Sequence, residues 1–240
     1  MFEKPFDPES VATLKAHLLD QSRKVESLFS VGRLQVKGWQ GQEIEAAIFS
    51  AWIPSPLKIK IEVTHPWGLP ILHLLVDGET VRLLSFRERK IYTGPFSTRS
   101  LSKFLPGEVD QSLIQDLLRA YPVVDSAHRA HSNEPNQISF YGPEGEEVRV
   151  IKFDRESREP TEVGVPHRNV KLAFRDLEAA GGLLFARETA LVHILGGRRL
   201  VRRIETMVFN QSIPDQVFSL EAVPGFETVF LSPDPGGEKK

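Results

Sequence analysis

The sequence predicts a mainly antiparallel β protein with α-helices, built as a strongly curved sheet or incomplete β-barrel. First, segments of alternating apolar and polar residues recur along most of the chain, as expected for half-buried strands. Second, these segments follow one another through short turns, which favours an antiparallel meander. Third, amphipathic helical segments interrupt the series, and we expect them on the concave face. The 240 residues contain no linker-like break, so we expect one domain over 1–240.

Two regions carry the helical pattern. From residue 11 to about residue 29, apolar residues recur at helical spacing behind Ser10, a residue type favoured at N-caps. This pattern predicts an amphipathic first helix with one apolar stripe. The region 98–118 contains two further helical patches, at 100–107 and 110–118.

Strand patterns fill most of the remaining chain, and we expect around ten strands. The segment from Ile44 to Ile53 is apolar in both phases, so this strand is either covered on both faces or lines a cavity with one of them. The last pattern precedes a tail, 232–240, that we expect to be disordered. The patterns lie at 33–38, 44–53, 58–63, 71–76, 81–85, 90–94, 137–141, 147–153, 168–174, 191–195, 201–209 and 228–231.

An unusual turn, Thr64-His65-Pro66-Trp67-Gly68-Leu69-Pro70, joins two of these strands. Turns run over the surface and are usually polar, whereas Trp67 and Leu69 are large and apolar. Pro66 and Pro70 restrict the shape of the turn. Two interpretations follow: either the turn folds back and Trp67 caps the core, or Trp67 and Leu69 form an apolar prong directed at a membrane or a lipid.

Composition excludes several kinds of site. The chain has no cysteine, which rules out disulfides, thiolate metal ligands and a cysteine nucleophile. A net charge of −2 gives no electrostatic basis for nucleic-acid binding, and no run of about 18 apolar residues predicts a membrane-spanning helix. His128 and His131 form a close histidine pair, but on a strand residues three apart point to opposite faces. We therefore predict no metal, no cofactor and no enzymatic activity.

The densest positive cluster comprises Arg198, Arg199, Arg202 and Arg203. Such a cluster either contacts anionic lipid headgroups or forms the solvated face of a strand. Both interpretations stay open at this stage.

The order of these segments resembles that of the LolA/LolB lipoprotein carriers, most closely the LolB branch. Those proteins have a T-x-P-L-G-type turn between strands, then a Y-T motif and two small helices. Here the turn residues are Thr64, Pro66, Trp67 and Gly68, followed by Tyr92 and Thr93. The resemblance covers roughly residues 25–120 and returns at 209–220. It implies a half-open barrel with a helical lid, and it places Trp67 where the family has a protruding leucine.

The resemblance also implies a function. We expect a periplasmic protein that binds lipoproteins or lipids, holds their acyl chains in an apolar cavity and helps to localise lipoproteins to the outer membrane. Its partners would be acyl chains, the membrane surface and a periplasmic carrier protein. One alternative is an RseB-like sensor that binds lipid without delivering it. Another is a small-molecule enzyme on the same fold, as in VioE-like proteins.

Seven residues are candidates for lining the cavity, because the strand periods place most of them on a single face. This list depends on which alternate residues of each strand face the cavity, since a shift of one residue moves every side chain to the other face. The candidates are Phe49, Ile59, Ile61, Val63, Leu72, Leu74 and Leu83.

The start of the chain bears on localisation. Residues 1–7 lack the apolar segment of a signal peptide, which by itself favours a cytosolic protein. The resemblance instead implies that an export signal and a lipid-carrying cysteine have been replaced by Met1, and that the natural protein is anchored to the outer membrane.

Overall fold

The computed structural model describes residues 4–39, 42–97, 109–221 and 223–232. In these ranges fourteen strands form one sheet, and two α-helices pack against it. The helices are α1, Pro8–Arg23, and α2, Gln111–Arg119, and short 3₁₀-helices span Pro166–Arg168 and Asp215–Phe218. The strands are β1 Leu28–Trp39, β2 Gln42–Ile53, β3 Lys58–Thr64, β4 Pro70–Asp77, β5 Thr80–Ser85, β6 Lys90–Pro95, β7 Arg129–His131, β8 Gln137–Tyr141, β9 Glu147–Phe153, β10 Pro160–Val165, β11 Val170–Ala180, β12 Leu183–His193, β13 Arg198–Phe209 and β14 Glu227–Phe230.

Two antiparallel meanders make up the sheet. Strands β1–β6 lie side by side in chain order, and so do β7–β13. The antiparallel pair of β1 and β13 joins the two meanders. At one edge β14 runs parallel to β6, and β7 forms the other edge. A large curved sheet that does not close is an incomplete barrel, which confirms the predicted fold class, with β14 as a parallel addition to it.

The pairing register defines the two faces of the sheet. Leu28 pairs with Trp52, Trp52 with Ile59 and Ile59 with Val76, so these side chains share one face, which we call the inner face. All four are buried. The apolar stripes of both helices belong to the same core, which places the described helices on this concave side. Those stripes consist of Val11, Leu14 and Leu18 in α1 and of Leu113, Ile114, Leu117 and Leu118 in α2.

Helix α1 is shorter than the sequence predicts. The carboxylate of Asp7 accepts hydrogen bonds from the amide (2.8 Å) and the hydroxyl (2.9 Å) of Ser10, so Asp7 rather than Ser10 is the N-cap. The helix also ends before the predicted residue 29, because the side chain of Asn210 holds the connection to β1. That side chain accepts from the Glu26 amide (2.8 Å) and donates to the Lys24 carbonyl (2.7 Å).

Several predicted strands have different ends in the structure. The predicted strand 191–195 is the last part of β12, which stops at His193 and leaves Ile194 and Leu195 in the following turn. The sequence pattern did not reveal β10, because Pro160 and Gly164 are unfavourable strand residues. Of the predicted helices over 98–118, the second is α2, whereas 98–108 lies outside the described residues, as does the tail from residue 233.

The pair of β1 and β13 is closely packed at Gly32. The register between these strands shifts between Val31 and Gly32. A methyl group on residue 32 would lie 2.0 Å from the carbonyl oxygen of Arg203 and 3.0 Å from Cα of Ile204. Because both neighbours are backbone atoms, they cannot rotate away, and only glycine fits here.

The end of α2 is fixed to the sheet by Arg202. This arginine is almost fully buried, and its Nη1 donates to the carbonyls of Leu117 (2.6 Å) and Leu118 (3.2 Å) in the last turn of α2. Its Nη2 donates to the hydroxyls of Ser30 and Ser50 on β1 and β2. Among the described residues no carboxylate pairs with Arg202, and burial lowers its pKa to about 10. The guanidinium therefore stays charged at neutral pH, with helix carbonyls and hydroxyls as its acceptors.

A second buried arginine holds the middle of α2. Arg149 on β9 lies 3.1 Å from the carboxylate of Asp116 and donates to the hydroxyl of Ser112 (2.8 Å). The Asp116 carboxylate also accepts from the amide of Val123 (2.6 Å). Burial raises the pKa of Asp116 to about 6, and the charge of Arg149 opposes that rise. Together, Arg149 and Arg202 connect α2 to strands on both sides of the β1–β13 pair.

We expect Gly32→Ala to lower the free energy of unfolding by about 1–3 kcal/mol, the usual cost of overpacking, because the new methyl group meets the backbone of β13. Chemical denaturation measures the effect. Gly164→Ala in β10 is the control, since a methyl group there would meet its nearest atom at an ordinary 3.9 Å. Equal stability of the two variants would contradict the packing argument.

We expect Arg202→Met to lower the free energy of unfolding by about 3–5 kcal/mol, because it leaves buried carbonyls of α2 without donors. The neighbouring Arg203→Met is the control. Arg203 lies on the opposite face, is exposed and pairs with Glu188 at 2.9 Å, so its loss should cost no more than about 1 kcal/mol. A small effect of Arg202→Met in a denaturant titration would show that α2 does not depend on this anchor.

Candidate functional site

The turn between β3 and β4 presents its apolar side chains to solvent. Trp67 is 85% exposed and Leu69 is 66% exposed. The turn is closed by hydrogen bonds from the His65 amide to the Leu69 carbonyl and from the Gly68 amide to the His65 carbonyl, both 2.8 Å. The His65 and Trp67 rings lie 4.7 Å apart. This exposure overturns the interpretation in which Trp67 caps the core.

Six of the seven candidate cavity residues share the inner face. Ile61 pairs with Leu74, and Leu74 pairs in turn with Leu83, so an apolar row crosses three neighbouring strands. In the structure these residues belong to the apolar core or pack against it. The six are Ile59, Ile61, Val63, Leu72, Leu74 and Leu83.

On β4 the inner face is more exposed at one end of the sheet than at the other, and β3 is fully buried only at the same far end. On β3, Ile59 is 0% exposed and Val63 is 9% exposed; on β4, Val76 is fully buried and Leu72 only half-buried. The more exposed end is the one at which β3 enters the turn of Trp67. We call this end of the sheet the rim.

The prediction for Phe49 is wrong, because this side chain lies on the outer face. Phe49 pairs with Glu62, whereas its neighbour Ser50 points inward. Phe49 lines an outer pocket of about 480 Å³ together with Lys60, Glu62 and His73 from β3 and β4. The strand β2 is apolar on both faces, so periodicity alone could not identify the phase. Ser50 shares the inner phase with the buried Trp52 and Ile48, and there it accepts a hydrogen bond from Arg202.

A larger groove of about 630 Å³ also lies on the outer face, near the rim. Pro66 of the exposed turn, Ala47 of β2 and Val31 of β1 contribute its apolar part. Its remaining lining includes Arg33 and Glu205, which pair at 2.9 Å. This mixed, charged lining differs from the apolar inner face.

Sequence patterns missed the polar cluster of Ser30, Ser50 and Arg202 on the inner face. The two hydroxyls lie 2.7 Å apart, and both accept from Arg202. The signal available in the sequence was the alternation along 201–209, which places Arg202 in the same phase as the apolar Ile204 and so on the inner face.

Of the histidine pair noted in the sequence, His131 lies on β7. Within the described ranges no group of three His, Asp or Glu side chains is suited to hold a metal. Neither described helix is long and apolar enough to cross a bilayer.

No protein-family model and no curated protein sequence matches this chain. Solved structures do match it. A LolA superfamily protein from Nitrosomonas europaea superimposes with a TM-score of 0.56 at 10% identity, covering 85% of this chain and 97% of that one. A domain described as an outer membrane lipoprotein-sorting protein, from Vibrio parahaemolyticus, gives a TM-score of 0.58 at 11% identity, with coverages of 88% and 97%.

A DUF1329 family protein from Desulfovibrio piger also matches, with a TM-score of 0.54 at 12% identity and coverages of 89% and 98%. At such identities the similarity is one of fold. The resemblance noted in the sequence is confirmed at that level: the chain has a LolA-like fold.

Proposed function

We propose that this protein binds the acyl chains of lipoproteins or other lipids in the periplasm and takes part in localising lipoproteins to the outer membrane. In this proposal residues 1–240 act as one domain, the inner face holds the acyl chains, and Trp67 and Leu69 enter the membrane. The observation that carries the proposal is that the exposed turn joins β3 to β4, the strand on which the apolar inner face is half-buried at the rim and fully buried at the far end.

The chemistry of acyl binding matches an apolar inner face. Each methylene removed from water contributes roughly 0.8 kcal/mol, so acyl chains need no polar recognition to bind. Leu72 is half-buried at the rim, while Leu74 and Leu83 continue the same face toward the buried end. A chain entering at the rim would therefore meet apolar side chains along its length.

The exposed turn favours delivery over simple sensing. A sensor that only binds lipid requires no membrane-inserting side chain, whereas tryptophan prefers the membrane–water interface. Large exposed apolar side chains on a hydrogen-bonded turn gain free energy only when an apolar partner covers them. A bilayer leaflet is the partner that a lipoprotein carrier meets.

The hydrogen bonds of the inner polar cluster fit a structural role for its two serines. The hydroxyls of Ser30 and Ser50 bond each other and Arg202, and Arg202 is engaged with the carbonyls of α2. No His, Asp or Glu of the described residues bonds either hydroxyl, so neither has a base to activate it.

We expect the protein to bind a fluorescent fatty acid, and Ile61→Asn to weaken that binding about tenfold, since a polar group would face the acyl chain. Phe49→Asn is the control: both side chains are half-buried, but Phe49 lies on the outer face. A fluorescence titration of each variant measures the effect. Lack of probe binding by the wild type, or equal losses in both variants, would contradict an acyl site on the inner face.

We expect Trp67→Glu to change the free energy of unfolding by no more than about 0.5 kcal/mol, because the side chain is exposed. Its association with liposomes should fall about tenfold or more, because a charge replaces the side chain that enters the interface. Co-sedimentation and thermal unfolding separate the two effects, and Trp67→Phe should retain binding. A large fall in melting temperature, or unchanged liposome association, would remove Trp67 from the proposed membrane contact.

A further inference from the structure

A second turn also exposes large apolar side chains. Ile194 is 50% exposed and Leu195 is 76% exposed, and both lie between β12 and β13. The six large hydrophobic residues that are exposed in the described part of the chain include these two and the pair Trp67 and Leu69. Exposed apolar residues are thus concentrated on two turns.

The topology places both turns at the rim. Strand β3 ends at the rim and each neighbour in the order β3, β2, β1, β13, β12 runs antiparallel to the one before it. Strand β12 therefore also ends at the rim, and its turn, 194–197, opens there. The centres of the two turns are separated across the strands by four strand spacings, or about 19 Å. Along the strands, the β12–β13 turn lies about 17 Å further out, because Thr64 is level with Arg203 and β13 begins five residues before it, at Arg198.

Arginines flank both apolar turns. Arg198, at the start of β13, is exposed, and Arg199 follows it. On the other side, Arg87 and Arg89 are exposed in the turn between β5 and β6, which also opens at the rim. The other two arginines of the cluster found in the sequence do not lie at the rim surface: Arg202 is buried, and Arg203 pairs with Glu188 on the outer face. Both apolar turns therefore have exposed arginines beside them, with Glu88 between Arg87 and Arg89, whereas the exposed Glu144 and Glu146 lie further along the rim in the β8–β9 turn.

We propose that the turn of Ile194 and Leu195 is a second membrane contact, so that the rim docks onto an anionic leaflet at two points. This inference rests on the proposed function. An anionic lipid surface fits both features of the rim, because it accepts apolar side chains at the interface and attracts nearby arginines. Two modest contacts on one rigid sheet reinforce each other, because once one has bound the other is already close to the surface.

The test measures binding to vesicles of phosphatidylethanolamine and phosphatidylglycerol, without any partner protein. Leu195→Glu should weaken binding about tenfold, as expected for one apolar side chain withdrawn from the interface. Phe230→Glu is the matched control, because Phe230 is 80% exposed but lies on β14, away from the rim. Arg198→Gln should weaken binding to these vesicles and leave binding to neutral phosphatidylcholine vesicles unchanged.

A label makes the test independent of the effect of a new charge on folding. The chain has no cysteine, so Leu195→Cys and Phe230→Cys each accept one environment-sensitive NBD fluorophore. The label at residue 195 should shift to the blue on anionic vesicles, and the label at residue 230 should not.

The outcomes separate this inference from the proposed function. Loss of binding in Trp67→Glu together with full binding in Leu195→Glu and an unshifted label would overturn the second contact and leave the first. Failure of the wild type to bind any vesicle, with fatty-acid binding intact, would overturn both membrane contacts but not the cargo site. Equal losses in Leu195→Glu and Phe230→Glu would also overturn the inference.

Discussion

The antiparallel pair of β1 and β13 is the contact on which the sheet depends. Each meander is built from neighbours in the chain, but this pair joins residues as distant in sequence as Leu28 and Phe209. It also brings Ser30 of one meander within reach of Arg202 of the other. The pair leaves no room for a side chain at Gly32, so this position of the junction requires glycine.

The position of α2 follows from that pair, since the groups that hold the end of the helix lie beside it. An arginine buried without a carboxylate is costly unless its donors are satisfied. Here the last carbonyls of α2, which have no partners within the helix and carry partial negative charge, accept from Arg202. Arg119 at the end of the helix is also buried; it donates to the Leu184 carbonyl (2.6 Å) and lies 4.6 Å from the Phe209 ring. Helix and sheet thus share buried hydrogen bonds, while Nε and Nη2 of Arg119 have no hydrogen-bond partner among the described residues.

Local patterns predicted most strands, the fold class and six residues of the inner face, because alternation along a strand is a local property; β7 and β10 were missed. They failed where a distant residue decides the local structure. Asn210 ends α1 early, and the pairing of β2 with β1 and β3 places Ser50 beside Arg202 on the inner face and Phe49 on the outer face. Neither effect is visible within a window of neighbouring residues. The sequence left two interpretations of Trp67 open, a cap on the core or an exposed turn. Only the three-dimensional structure shows that the side chain is exposed.

The two ends of the sheet differ in a way that explains why apolar turns are tolerated at one of them. At the end opposite the rim, turns such as Asp77–Glu79 and Gly181–Gly182 are short and polar or glycine-rich. At the rim, the turns of Trp67 and Leu195 are apolar, and on β4 the inner face is half-buried at Leu72. Burial of the core alone would favour the same polar turns at both ends, since an exposed apolar turn contributes nothing to the folded state. Burial of the core therefore does not account for the two apolar turns, and they lie at the same end of the sheet as the half-buried Leu72 on β4.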